Sequence, residues 1–177
     1  VAAIARIAHE RGCLVHTDAT QALGKMPLDV EDLGVDLASF SAHKVGGPKG
    51  VGALFVRRGV KLRSTMTGGG HERNIRSGTL NVPGIVGFGE AVAALGDVDR
   101  SAAQVRSLAT DLLTRLREGA GPIEVYSNHE SGLPNTLSIR FVGADGEAVM
   151  ANCPEVAMSV GSACTSAVPE PSHVLLA

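Results

Sequence analysis

The stretch Asp36-Leu37-Ala38-Ser39-Phe40-Ser41-Ala42-His43-Lys44-Val45-Gly46-Gly47-Pro48-Lys49-Gly50-Val51-Gly52-Ala53-Leu54-Phe55-Val56 sets a lysine and a glycine-rich turn between two apolar runs. Both runs, 36–41 and 51–56, read as short buried strands. A parallel crossover takes about a dozen residues or more, and only residues 42–50 separate the two. The second strand is therefore expected to run antiparallel on an otherwise parallel sheet. Lys44 then stands at the mouth of the sheet, flanked by Ser41 and His43. A partly desolvated lysine gives up its proton readily and becomes a usable amine. Lys44 thus reads either as a Schiff-base nucleophile with phosphate-binding neighbours or as a solvated lysine at a loop start.

Upstream, Ile4, Ile7 and Ala8 mark one face of a helix over 1–11, and Gly12 suits its cap. Cys13 to Thr17 reads as a strand with Asp18 at its carboxyl end, and Gln21 to Gly24 as a turn or short helix that Pro27 breaks. Helix, strand and helix in alternation indicate an α/β fold. In open α/β sheets ligands sit at the carboxyl ends of parallel strands. That rule sets Asp18 at one strand end and Ser41, His43 and Lys44 at another. The residues between Asp18 and Lys44 leave room for a helix and a return strand, which would bring the two ends side by side. A buried carboxylate near a Schiff-base lysine has a known use in keeping the pyridine nitrogen of pyridoxal phosphate protonated. The competing reading of Asp18 is a helix N-cap over Ala19 to Ala22.

Downstream, Thr67 to Thr79 is a polar loop of a length usually functional or flexible. Pro83 to Leu95 reads as a helix of small residues suited to close packing. Charge interrupts the apolar pattern at Asp97 to Ser101, the best boundary, so we divide the chain into 1–95 and 96–177. Val105, Leu108, Ala109, Leu112, Leu113 and Leu116 make an amphipathic helix, and strands are expected over 123–126, 136–141 and 156–160. Cys164 follows in the run Gly161-Ser162-Ala163-Cys164-Thr165-Ser166-Ala167, whose small polar residues leave a thiol accessible, as catalytic cysteines are. A lone loop cysteine is also commonly inert.

The composition narrows the function. The 177 residues carry a net charge of −2 with interspersed signs, which argues against nucleic acid as a partner. No apolar run has the length of a membrane span. Three cysteines at irregular spacing suit a reducing compartment, so a cytoplasmic location is expected. Gly46 to Gly50 does not fit the nucleotide phosphate loop. Cys13 and His16 lack a second pair at ligand spacing, so no metal is expected, and Cys13 and Cys153 read as packed small hydrophobes. The chain opens on Val1 inside a helical pattern and stops at Ala177 with a helix only begun, so it is expected to be an internal fragment.

Four ordered motifs resemble the signature of cysteine desulfurases, fold-type I pyridoxal-phosphate enzymes related to class V aminotransferases. They are His16-Thr17-Asp18-Ala19-Thr20-Gln21, Ser39-Phe40-Ser41-Ala42-His43-Lys44, Gly68 to Arg73 with Arg76-Ser77-Gly78-Thr79, and Gly161-Ser162-Ala163-Cys164-Thr165-Ser166. The resemblance spans nearly the whole chain, and the cysteine loop discriminates most, since aminotransferase relatives lack it. It implies part of a large, mostly parallel α/β cofactor domain followed by part of a smaller α/β domain. It implies pyridoxal 5'-phosphate held by Lys44, with Asp18 on the pyridine nitrogen, Gln21 on the ring hydroxyl, and Ser41 and His43 on the phosphate. Thr79 would reach the phosphate of a neighbouring subunit in a homodimer. Cys164 would take sulfur from L-cysteine, leaving alanine and a persulfide for an acceptor protein. Other ligands would lie outside this segment, so the segment alone is expected to be inactive. The alternatives are another fold-type I enzyme, such as an aminotransferase or selenocysteine lyase, and a non-catalytic module keeping the fold.

Overall fold

The computed structural model describes residues 1–128, 130–161 and 172–176. The chain forms two compact units, Val1–Ser101 and Ala102–Ala177.

In the first unit, helix α1 (Ala2–His9) buries Ala5, and Gly12 ends the following turn at φ 70°. Strand β1 (His16–Asp18) is shorter than expected. Residues 13–15 remain outside the ladder, where the Val15 carbonyl accepts from the amides of Asp36 and Leu37. Cys13 is accordingly exposed in the connection rather than packed. A turn follows β1, and helix α2 (Val30–Leu33) starts under an Asp29 cap and ends at Gly34, φ 64°. Strand β2 (Leu37–Ser41) lies parallel to β1, with His16 opposite Leu37 and Asp18 opposite Ser39. A single 3₁₀ turn (Ala42–Val45) leads to β3 (Gly52–Val56), which pairs antiparallel to β2 with Ser41 opposite Gly52. The sheet order is β1-β2-β3, so the expected mixed pairing is what forms. Ala38 within β2 and Val35 just ahead of it are fully buried.

Helix α3 (Val82–Ala93) starts where Asn81 Oδ1 accepts from Gly84 N–H at 3.1 Å, with Pro83 in the first turn. Its small residues serve the close packing that the composition suggested. A Cβ on Gly87 would come 2.7 Å from Pro48 Cγ, and Gly47 lies against Ala91. The lysine turn is thereby held against α3.

Helix α4 (Val98–Gly119) carries a buried stripe of Ala102, Ala109 and Leu113. Strands β4 (Ile123–Val125) and β5 (Ile139–Phe141) pair antiparallel. The expected strand over 136–141 contributes only its last three residues, although Tyr126 N–H still donates to the Ser138 carbonyl at 2.9 Å. Helix α5 (Gly146–Asn152), absent from the sequence reading, begins where Asp145 Oδ1 accepts from Ala148 N–H at 2.9 Å. Residues 156–160 do not form the expected strand. Val156 N–H is spent on the Cys153 carbonyl, closing a turn, and Val156 and Val160 are exposed. Helix α6 (His173–Leu176) is short. Among the described residues no helix is long and apolar enough to cross a membrane.

Candidate active site

The parallel register of β1 and β2 brings Asp18 and Ser41 to one edge of the sheet, and the 3₁₀ turn carries His43 and Lys44 just beyond it. That turn is a consequence of composition. Gly46 follows it at φ 80°, a left-handed conformation that costs an L-side chain about 1–2 kcal/mol, and its N–H closes the turn on the Ala42 carbonyl. Ala42 is fully buried while His43 and Lys44 are exposed, so a buried anchor presents two polar side chains outward.

Asp18 is exposed, not buried as the sequence reading supposed, because β1 ends at this residue. Its charge is nonetheless secured. The Thr20 hydroxyl and amide hold its carboxyl below the usual carboxylate range, with smaller help from the Ser39 hydroxyl and the charge of His16. The Thr20 N–H donates to Oδ1 at 2.9 Å. Asp18 thus caps a turn and not a helix, and its carboxylate stays ionised. Thr20 and Ser39 stand in the ordered motifs, but no role was assigned to either from the sequence. The signal for Ser39 was its place two residues before Ser41 on the same strand, and the register sets Ser39 opposite Asp18.

Ser41 Oγ and His43 Nδ1 are hydrogen-bonded at 2.7 Å, fixing the imidazole beside the hydroxyl. Gln21 lies in the turn after Asp18, where its Oε1 accepts from Lys25 Nζ at 2.7 Å. Thr79 is exposed in the polar loop ahead of α3, apart in sequence from the strand ends. That loop contains three successive non-glycine residues at positive φ, Glu72 (48°), Arg73 (57°) and Asn74 (65°). Cys164 lies outside the described residues.

Comparison with known proteins places this arrangement. A family model described as aminotransferase class-V matches residues 1–177. The chain belongs to the aminotransferase class-V family. This class-V chain is 53% identical to a cysteine desulfurase IscS of Anaeromyxobacter dehalogenans (strain 2CP-C), covering 100% of the chain and 45% of the relative. It is 47% identical to the IscS of Pectobacterium atrosepticum, over 100% and 44%. It thus spans about half the length of the curated relatives it matches. Among solved structures, a NifS-like protein aligns at TM-score 0.76 and 41% identity over 86% of the chain and 42% of that protein. The NifS-like protein of Rickettsia africae aligns at TM-score 0.79 and 32% identity, over 91% and 45%. The class-V fold expected from the motifs is the fold observed.

Proposed function

We propose that the class-V protein to which this chain belongs is a cysteine desulfurase, converting L-cysteine to L-alanine and passing the sulfur to an acceptor protein. The observation that carries the reading is the strand-end group. An ionised carboxylate, a paired hydroxyl and imidazole, and a primary amine stand at adjoining ends of β1 and β2. That donor set fits pyridoxal 5'-phosphate. Asp18 would pair with the ring nitrogen, Gln21 with the ring hydroxyl, Ser41 and His43 with the phosphate, and Lys44 would hold the aldehyde carbon. When bound, the cofactor supplies an electron sink for bonds at the substrate Cα.

The remaining steps belong to the protein. Asp18, whose carboxyl is held below the usual carboxylate range by Thr20, would keep a proton on the ring nitrogen, and so keep the sink open. The Lys44 amine would take the proton from the substrate Cα and return one. The Cys164 thiolate would attack the substrate sulfur, forming an S–S bond as the C–S bond breaks with its electron pair left on Cβ. That carbon takes up a proton, alanine leaves, and a Cys164 persulfide remains for the acceptor. Residues 1–95 would serve as the cofactor domain and 96–177 as the domain carrying the cysteine. Thr79 would meet the phosphate of a second copy in a homodimer, and the three cysteines fit a cytoplasmic enzyme.

The test uses the full-length protein. Wild type should acquire visible absorbance with pyridoxal phosphate and release one alanine per sulfur from L-cysteine. Lys44→Ala should lose both properties. Cys164→Ala should keep the absorbance and lose the sulfur transfer. A Cys164→Ala protein that desulfurates at the wild-type rate would favour an aminotransferase or lyase instead, and a wild type without visible absorbance would leave only a non-catalytic module.

A further inference from the structure

Lys25 plays no part in the chemistry above, yet it stands beside it. Its Nζ donates to Gln21 Oε1 at 2.7 Å, one helical turn's spacing along the chain. The segment is pressed onto the lysine turn at Gly24, where a Cβ would come 2.7 Å from Leu95 Cδ2 and 3.2 Å from Val45 Cγ1. Val45 is the residue after Lys44, so Lys25 and Lys44 occupy one neighbourhood. Burial, then the nearby charge of Lys44, holds the Lys25 ammonium below the ordinary lysine range. Neither lysine has a carboxylate ion-pair partner among the described residues. The other groups against Gly24, Leu95 and Val45, are apolar.

An ammonium has donors only, whereas a glutamine amide has one acceptor oxygen and one donor nitrogen. The atom of Gln21 facing Lys25 must therefore be oxygen, which reserves the amide N–H groups for another acceptor. An unrestrained glutamine would offer either end. We propose that Lys25 is a positioning residue of the cofactor site, fixing the Gln21 amide so that its nitrogen donates to the ring oxygen of pyridoxal phosphate. This rests on the cofactor reading above, in which Gln21 faces that oxygen. Lys25 touches neither cofactor nor substrate and acts through Gln21.

The test is a double-mutant cycle on the full-length protein, read without turnover. Cofactor affinity is measured by equilibrium dialysis, and the pH midpoint of the visible absorbance by titration. Lys25→Met should weaken cofactor binding about three- to tenfold, the net worth of one ordinary hydrogen bond, and raise the midpoint by about half a pH unit. Gln21→Leu should do the same, and the double variant should be no worse than Gln21→Leu alone, because the two residues act as one. Lys25→Arg keeps the donors and the charge and should restore wild-type values. Wild-type values in Lys25→Met, additive losses in the double variant, or no rescue by arginine would overturn the inference while leaving the cofactor reading intact. A wild type that binds no cofactor overturns both.

Discussion

Asp18 is ionised by local chemistry and not by a buried counter-charge. The Thr20 hydroxyl and amide do most of the work, and the folded carboxyl titrates below its ordinary range. Protonating it would remove the partner of the ring nitrogen, so activity lost through this group should fall only at pH below that ordinary range. Replacing it tests the charge without disturbing the turn, since an asparagine Oδ1 can still accept from Thr20 N–H. Asp18→Asn in the full-length protein should fold with a melting temperature close to wild type but lose about 10²-fold or more in alanine release, as expected when a group aimed at developing charge is neutralised. Equal loss of folding would assign Asp18 to structure alone. The order of the chemical groups at this site was readable from spacing, because Asp18 and Ser41 each close an apolar run and a turn follows each of them. The solvent exposure of Asp18 and Lys44 was not readable, since neighbours distant in sequence decide exposure.

At the level of elements, the lysine turn is seated by α3 through the absence of side chains. Gly87 accepts the Pro48 ring, and the added methyl of Gly87→Ala would come 2.7 Å from Pro48 Cγ. Alanine favours the helix by about 1 kcal/mol, while overpacking costs about 1–3 kcal/mol. The rigid proline ring cannot swing aside as a long side chain would, so the loss should prevail. Gly87→Ala is expected to lower the melting temperature and also weaken cofactor binding, whereas Gly89→Ala, with open space around it, should be neutral or stabilising. Equal behaviour of the two variants in thermal melts would refute the seating. The composition had suggested a closely packed helix here, though not its partner. Element ends were less legible. Residues 156–160 are rich in β-branched and apolar side chains, yet a strand also needs an edge to pair with, and that segment closes a turn on Cys153 instead.

Across the Val1–Ser101 unit, Asp36 ties together segments far apart in the chain. It is 6% exposed and accepts at Oδ2 from His9 Nε2 of α1 and from Val15 N–H before β1, both at 2.8 Å, with Arg57 beyond β3 at 4.0 Å. The His9 hydrogen bond first, then the Val15 amide, hold its carboxyl below the usual range. Its folded value lies under its unfolded value. The stabilisation is therefore complete above about pH 4, the ordinary aspartate range, and disappears as pH falls through the lower folded value. Chemical denaturation between pH 7 and pH 2 should show wild type losing stability more steeply on the acid side than Asp36→Asn, which starts less stable and changes less. Parallel curves would show that Asp36 is not the acid-sensitive tie.

Local sequence by itself determined the α/β alternation, the antiparallel return of β3, the amphipathic α4 and the order of the chemical groups. Each depends on periodicity, turn length or motif spacing within a few residues. Only the tertiary structure decided that Ser39 faces Asp18, that Gly87 seats Pro48, and that Asp36 joins α1 to the sheet. Those are contacts between segments distant in the chain. Their energies exist only once sheet register and helix packing have brought the partners together.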